Sequence, residues 1–273
     1  STAIVQRRFD PEGVLALIDA HRPAGVVVVP VMLQRILALS GDTIARYDTS
    51  SLRYIASSGS ALASSVVTEV LQRFGPILYN VYGSTEVSLA TIATPDDLRD
   101  APSTAGRRLA GADVRILDDT GQPVPVGETG RIFVGSGSRF EGYTGGGSKE
   151  DVGGLLSSGD VGHFDADGLL YVDGRDDDMI VSGGENVFPA EVEDLLAAHP
   201  AVAEAAVVGV PDETFGQRLK AFVVRRPGHE LTAADVKAHV RSQLARYKVP
   251  GEVEFVPSLP RTVTGKLRRQ DLS

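Results

Sequence analysis

Four short polar motifs in this 273-residue chain hold side chains that could handle a phosphate, a cation or a developing negative charge. The first is Tyr82-Gly83-Ser84-Thr85-Glu86, directly after the apolar run of residues 77–81. A glycine, two hydroxyls and an acid at the carboxyl end of a parallel strand sit where open α/β sheets bind ligands. Free amides and Thr85 could bond phosphate oxygens there. Glu86 could hold Mg2+, a hard cation that takes oxygen ligands. An ordinary polar turn out of a strand is the open alternative. The second motif is Ser157-Ser158-Gly159-Asp160, whose acid follows a glycine turn. That geometry suits a bidentate bond to ribose hydroxyls, although most such aspartates are solvated turn residues.

The third motif runs Gly174-Arg175-Asp176-Asp177-Asp178 and on to Ser182-Gly183-Gly184-Glu185-Asn186. Its three successive acids read either as a surface charge run or as a cation site. They do not match a calcium loop, which needs Asp or Asn at alternate positions and a distal Glu. The fourth is Pro260-Arg261-Thr262-Val263-Thr264-Gly265-Lys266. A phosphate-binding P-loop is excluded, because Pro260 stands where the first glycine belongs and Leu267 where Ser or Thr is required. A lysine on an exposed, glycine-flanked turn can still bring a point charge to an anionic transition state. The plain alternative is a basic tail. None of the five histidines forms a His-Glu-x-x-His pair, and no Gly-x-Ser-x-Gly elbow or Gly-x-Gly-x-x-Gly fingerprint is present.

The elements that must position these motifs follow from hydrophobic pattern and punctuation. Residues 10–22 read as a helix, with Val14, Leu17 and Ile18 at helical spacing and Pro11 in the first turn. Residues 25–30 form a β-branched run without polar alternation, as in a buried parallel strand. A helix over residues 31–39, a strand over 52–56, a helix over 64–74 and a strand over 77–81 follow. This alternation predicts a doubly wound α/β layer. Beyond about residue 100, Gly, Pro and Asp break the chain into short antiparallel strands, which predicts a small barrel-like piece. Residues 163–172 read as a hairpin with Asp-Gly turn chemistry, and the glycine-rich residues 142–154 as a mobile loop.

From Arg175 a compact α+β unit of ordinary domain size is expected. It holds a helix opened by Pro189, strands over 202–210 and 219–224, and a further strand over 252–256. A second helix follows the capping-box pair Thr232 and Asp235. The predicted division is therefore residues 1–174, part of a large domain, and residues 175–273, a small one.

Composition narrows the function classes. The chain is 42% hydrophobic and 23% charged, the profile of an ordinary globular protein. A formal net charge of −9 argues against nucleic acid as a partner, since phosphate neutralisation needs clustered Lys and Arg. With no cysteine, thiolate chemistry is out and a cytoplasmic location is the simplest expectation. The longest apolar run, residues 25–33, is too short to span a bilayer. The chain opens on Ser1 within an apparent element, as expected of a fragment.

Taken together, the four motifs occur in one order at compatible spacings and resemble the later core motifs of the adenylate-forming superfamily. That superfamily comprises acyl- and aryl-CoA synthetases, peptide-synthetase adenylation domains and luciferases. The resemblance covers almost the whole chain and is closest to the C-terminal half of a fatty-acid CoA synthetase. It implies ATP-dependent activation of a carboxylic acid to acyl-AMP, followed by transfer to CoA or an acyl carrier protein. ATP, AMP, Mg2+ and CoA would be the small molecules involved, and a homo-oligomer is compatible with it. Ser58-Gly59-Ser60-Ala61-Leu62 resembles the loop that contacts adenine and borders the acyl pocket. The resemblance further implies that Tyr82 stacks near adenine, that Gly83, Ser84 and Thr85 meet the phosphates and that Glu86 binds Mg2+. Asp160 and Arg175 would hold the ribose, and Asp177 would be the hinge of a mobile small domain. Ser182 and Gly183 would line the pantetheine passage. Lys266 would bridge the acyl carboxylate and the α-phosphate.

Departures from the pattern are also visible. The superfamily's Ser/Thr/Gly-rich phosphate loop ending in Pro-Lys is not among these residues, so the chain alone is expected to be inactive. Ser158 stands where Thr is usual, and no Trp lies between Phe140 and Asp160. An aryl-CoA ligase, an adenylation domain or a non-catalytic nucleotide-binding scaffold are the alternatives.

Overall fold

The computed structural model describes residues 2–138, 140–262 and 266–272. Ser1 and the Thr264-Gly265 step of the lysine motif lie outside them.

Helix α1 (Pro11–His21) begins where its sequence says it should. Asp10 caps it by accepting from Gly13 N at 3.0 Å, and Pro11 occupies the first turn. Strand β1 (Gly25–Val28) leads into α2 (Pro30–Leu37), and a single turn, α3 (Gly41–Ile44), precedes β2 (Tyr54–Ser57). Then come α4 (Ser64–Phe74), β3 (Leu78–Ser84), β4 (Ser88–Ala93), α5 (Pro95–Asp100) and the short β5 (Arg107–Arg108). The five strands form one sheet in sequence order. The first three are parallel, and β3–β4–β5 is antiparallel.

Two expectations need correction here. Among the described residues the helices cover one face of the layer and not two: Ile18, Leu33, Val67, Val70 and Leu98, drawn from α1, α2, α4 and α5, share one apolar cluster with Val28, Ile55 and Leu78. The alternate strand residues face away from it, and Val27 is 76% exposed. The first polar motif is also not a turn following a strand. Tyr82, Gly83 and Ser84 are strand residues, because beyond Asn80 they pair with β4, and only residues 85–87 turn.

A second sheet follows, antiparallel throughout: β6 (Asp113–Leu117), β7 (Gly130–Gly135), β8 (Asp151–Val152), β9 (Leu155–Phe164) and β10 (Leu170–Arg175). The expected hairpin is β9–β10. Its connection is a five-residue loop in which Asp165 Oδ1 accepts from Asp167 N and Leu169 N, instead of a two-residue Asp-Gly turn. Val87 and Ala90 of the β3–β4 hairpin pack with Ile132, Leu156 and Leu170 of this sheet in one core.

The seam between the two sheets is polar and buried. Thr104 Oγ1 donates to Leu170 O at 2.8 Å and accepts from Gly106 N at 3.0 Å. Thr91 Oγ1 donates to Ala105 O at 2.6 Å, and Asn80 Nδ2 donates to Thr104 O at 3.0 Å. Gly106 completes the seam by pairing with Leu170. Its φ is +88°, and a Cβ there would lie 2.0 Å from Ala93 N.

The last unit contains β11 (Ile180–Ser182), β12 (Glu185–Val187), α6 (Pro189–Ala197), β13 (Val202–Asp212), β14 (Gly216–Arg225), α7 (Ala233–Gln243) and β15 (Glu252–Phe255). Thr232 and Asp235 make the capping box that the sequence predicted. Val192, Leu196, Val207, Val223, Val236 and Val240 build its core. Near the C-terminus, Arg269 ties this unit to its own entry segment. It donates to Asp178 at 2.8 Å and to Val207 O at 2.9 Å, and pairs two-pronged with Glu193.

Gly106→Ala is expected to lower unfolding free energy by roughly 2–5 kcal/mol, combining a strained left-handed alanine with an overpacked seam. Urea unfolding should show it as a lower midpoint at unchanged slope.

Candidate nucleotide site

The junction of the two sheets brings four of the predicted residues into one chain of bonds. Tyr82, from β3, donates its hydroxyl to Asp160 Oδ2 at 2.7 Å. Asp160 lies on β9 directly opposite Arg175 of β10, and the Arg175 guanidinium donates to Asp160 Oδ1 at 3.2 Å. Arg175 Nε in turn donates to Asp177 at 3.1 Å. The backbone that carries Asp160 is fixed by the two serines before it. Ser158 Oγ donates to Ile132 O at 3.0 Å and accepts from Asp160 N, while Ser157 Oγ accepts from Gly159 N. Gly159, with φ +81°, lets the guanidinium lie against its backbone: a Cβ there would be 3.0 Å from Arg175 NH2.

Burial dominates the electrostatics. The Asp160 side chain is only 17% exposed, and loss of water pushes its pKa up despite the Tyr82 hydrogen bond and the Arg175 charge. Tyr82 is held well above the ordinary phenol value, first by burial and then by the Asp160 charge beside it. Glu86 moves the other way. Hydrogen bonds from Ser84 and then Tyr143 hold its carboxyl below the usual range. The site therefore contains one buried carboxylate that resists ionisation and one that hydrogen bonds keep readily ionised.

A cavity of about 370 Å³ opens beside Asp160, between Arg131, Lys149, Ser157 and Arg175. Arg131 is neutralised by Glu150 and by Asp176 at 3.0 Å. Lys149 forms no ion pair among the described residues, and its charge reaches both Glu86 and Asp160.

The donor set fits a magnesium–nucleotide better than a resident metal. Among the described residues no group of three His, Cys, Asp or Glu could hold a cation. Mg2+ commonly takes one or two carboxylates and completes its shell with substrate phosphates and water. Glu86 could supply one such carboxylate.

The remaining predicted residues are not drawn into this chain of bonds. Ser58, Gly59 and Ser60 follow β2, where Ser58 N donates to Val28 O at 3.2 Å and Gly59 turns the backbone at φ +93°. Thr85 is exposed at the hairpin tip. Ser182 is buried in β11, and Gly183 N donates to Phe215 O at 2.9 Å. Lys266 is exposed, and its carbonyl accepts from Thr262 N at 2.8 Å. Among the described residues no hydrogen bond or ion pair links it to Glu86, Asp160 or Arg175. Asp177, the expected hinge, is by contrast the last link of that chain and is 73% exposed.

Sequence reasoning missed Arg131, Tyr143, Lys149 and Arg269. Tyr143 sits within the stretch read as a mobile loop, and only its aromatic character among glycines marked it out.

Residues 1–144 match the AMP-binding enzyme family, and residues 191–266 match the AMP-binding enzyme C-terminal domain. The indoleacetate–CoA ligase of Aromatoleum aromaticum is 37% identical over 278 residues, covering 100% of this chain and 54% of that protein. The medium/long-chain-fatty-acid–CoA ligase FadD8 of Mycobacterium tuberculosis is 38% identical, over 96% of this chain and 48% of its own length. The chain thus spans about half the length of the curated relatives it matches. ATP-bound MatB from Rhodopseudomonas palustris superposes with a TM-score of 0.87 at 32% identity, covering 97% of this chain and 52% of MatB. Apo MatB, covering 97% of this chain and 53% of its own, gives 0.74 at 33% identity. No helix among the described residues is long and apolar enough to cross a membrane. By its sequence, its sheets and the family matches to both of its parts, the chain belongs to the AMP-binding enzyme family, the adenylate-forming superfamily.

Proposed function

We propose that the protein carrying this chain uses ATP to convert a carboxylic acid to acyl-AMP and then passes the acyl group to the thiol of CoA. The observation that carries this reading is the Tyr82–Asp160–Arg175 chain set beside the Glu86 hairpin. It sets a buried acceptor carboxylate, an aromatic ring and a second carboxylate at one junction, a combination that suits a ribose and a cation-bound phosphate. A scaffold that only binds protein needs none of them.

In the first half-reaction an oxygen of the substrate carboxylate attacks the α-phosphorus. The bond from that phosphorus to the bridging oxygen breaks, and pyrophosphate leaves with its electrons. Two anions meet, so the protein's task is positioning and charge compensation. Asp160 accepts from the ribose hydroxyls, and Arg175 holds Asp160 in place. Gly83, Ser84 and Thr85 present donors to the phosphates. Mg2+, bound through Glu86 and the phosphates, would offset phosphoryl charge. Lys266 bridges the acyl carboxylate and the α-phosphate. In the second half-reaction the CoA sulfur, having lost its proton, attacks the acyl carbon and AMP departs. Residues 175–273 act as a small mobile domain on residues 1–174. Rotation about Asp177 withdraws Lys266 and brings Ser182 and Gly183 to the thiol path.

Two relatives at nearly equal identity act, by name, on indoleacetate and on medium or long-chain fatty acids. An acid with an apolar tail is common to both, and a fatty acid remains the reading we favour. Nothing on the chain favours an acyl carrier protein over CoA.

Asp160→Asn is expected to abolish binding of a nonhydrolysable acyl-adenylate, read by calorimetry. The same variant should be more stable than the parent at neutral pH. The folded pKa of Asp160 lies above its unfolded value of ~3.9, so the folded state holds the extra proton and stability falls as pH rises through that window. The asparagine removes this loss. Retained binding would remove Asp160 from the ribose site.

Lys266→Ala is expected to slow adenylate formation by ~10²–10³ through loss of one charge-stabilising donor. Thioester formation from preformed acyl-adenylate should be largely spared. Equal losses in both half-reactions would refute the role given to Lys266.

A further inference from the structure

The carboxylate of Glu86 is held from two sides. Ser84 Oγ, two residues away, donates to Oε2 at 2.8 Å. The hydroxyl of Tyr143, 57 residues further along, donates to Oε1 at 2.8 Å. The first bond is local and would form in almost any version of this hairpin. The second requires a separate segment to be folded in place.

That segment is built for the purpose. Tyr143 N donates to Gly147 O at 3.1 Å, and Gly146 N donates to Tyr143 O at 2.8 Å, which closes a tight turn around the tyrosine. The tyrosine ring meets Phe140 edge to face, with centroids 4.9 Å apart and planes at 68°. Phe140 packs against the core shared by the β3–β4 hairpin and the second sheet. The ring is thus anchored through Phe140, and its hydroxyl reaches the carboxylate across the mouth of the hairpin. At 46% exposure, Tyr143 gains little from burial, so its placement is not explained by packing alone.

We propose that Tyr143 is a positioning residue for Glu86, holding the carboxylate in the orientation in which it meets the divalent cation of a bound nucleoside triphosphate. This rests on the assignment of Glu86 to that cation. An ionised carboxylate has about four acceptor sites on its two oxygens. Ser84 and Tyr143 take one each and leave a lone pair on each oxygen for a metal. Both bonds fix the torsion of the carboxylate plane, so the metal does not have to order the side chain. Removing outer partners of this kind costs about 10–100-fold in metal affinity.

The test replaces only the hydroxyl. Tyr143→Phe keeps the ring and its contact with Phe140. Mn2+ binding is followed by electron paramagnetic resonance in the protein that carries this chain, saturated with α,β-methylene ATP. Metal-free binding of the same nucleotide is measured in parallel. Mn2+ affinity is expected to fall about tenfold in Tyr143→Phe and further in Glu86→Gln, with metal-free nucleotide affinity moving far less in Tyr143→Phe. Unchanged or tighter Mn2+ binding in Tyr143→Phe, with weakened binding in Glu86→Gln, overturns the role of Tyr143 and leaves the metal assignment standing. Wild-type Mn2+ affinity in Glu86→Gln overturns the metal assignment and this inference with it. Equal losses of metal-bound and metal-free nucleotide in Tyr143→Phe would mark a general disturbance of the site and also overturn it.

Discussion

A carboxylate withdrawn from water constrains everything around it. Asp160 is charged only at a cost, because burial removes most of its hydration and the neighbours return only part of that energy. Those neighbours come from two other strands, Tyr82 from β3 and Arg175 from β10, while the Ser158 hydroxyl on β9 accepts from the Asp160 backbone amide. The bonds can form only if the first sheet meets the second at one register. The site is therefore a consequence of how the sheets are joined, more than of any one loop. An exposed aspartate at the same sequence position would ionise more easily. It would also remain hydrated, so a ligand hydroxyl would have to displace water to reach it.

The joint itself is made of backbone and threonine. Thr91 and Thr104 are fully buried, yet each hydroxyl has a carbonyl to donate to, so neither is an orphan. Gly106, bridged to Leu170 of the second sheet, lies against the Ile92–Ala93 backbone of β4 more closely than any side chain would allow. Apolar packing of Val87 and Ala90 on Ile132 and Leu170 then holds the faces together. Hydrophobic contact alone tolerates sliding, whereas buried hydrogen bonds do not. The seam thereby fixes the distance from Tyr82 to Asp160 to within a hydrogen bond.

Periodicity and punctuation made much of this legible in the sequence. Val14, Leu17 and Ile18 marked α1, Thr232 with Asp235 marked α7, and the β-branched run marked β1. These are local signals, each set by a few residues. The sidedness of the first layer was not legible, because Val26, Val27 and Val28 look alike in a list of residues. Only pairing with β2 shows that Val27 points away from the shared core. The extension of β3 through Ser84 was missed for a related reason: its partner, β4, lies downstream of the motif. Within the site, Tyr82, Glu86, Asp160 and Arg175 could be named because their motifs are short and ordered. Tyr143 and Arg269 could not, since each works through a residue 57 or more positions away.

Arg269 illustrates what such distant contacts achieve. Three residues after Lys266, it satisfies Glu193 on α6, the Val207 carbonyl on β13 and Asp178, just past the expected hinge. Its charge is mostly buried, and the two acids outweigh the lost hydration. Breaking that group would leave two carboxylates unpaired, a cost of several kcal/mol by the usual measure of broken buried pairs (~3–5 kcal/mol). Arg269, close behind Lys266, and Asp178 on the segment that leaves Arg175 are thus tied to the same helix and strand. Arg175 itself is bonded to Asp160, on the other side of Asp177. Between Arg175 and Asp178, each held by such a bond, lie Asp176, which pairs with Arg131, and Asp177, which is largely in water. If the small unit turns, the least costly place for backbone torsions to change is between the anchors. The hinge we propose at Asp177 rests on what is tied down on either side of it.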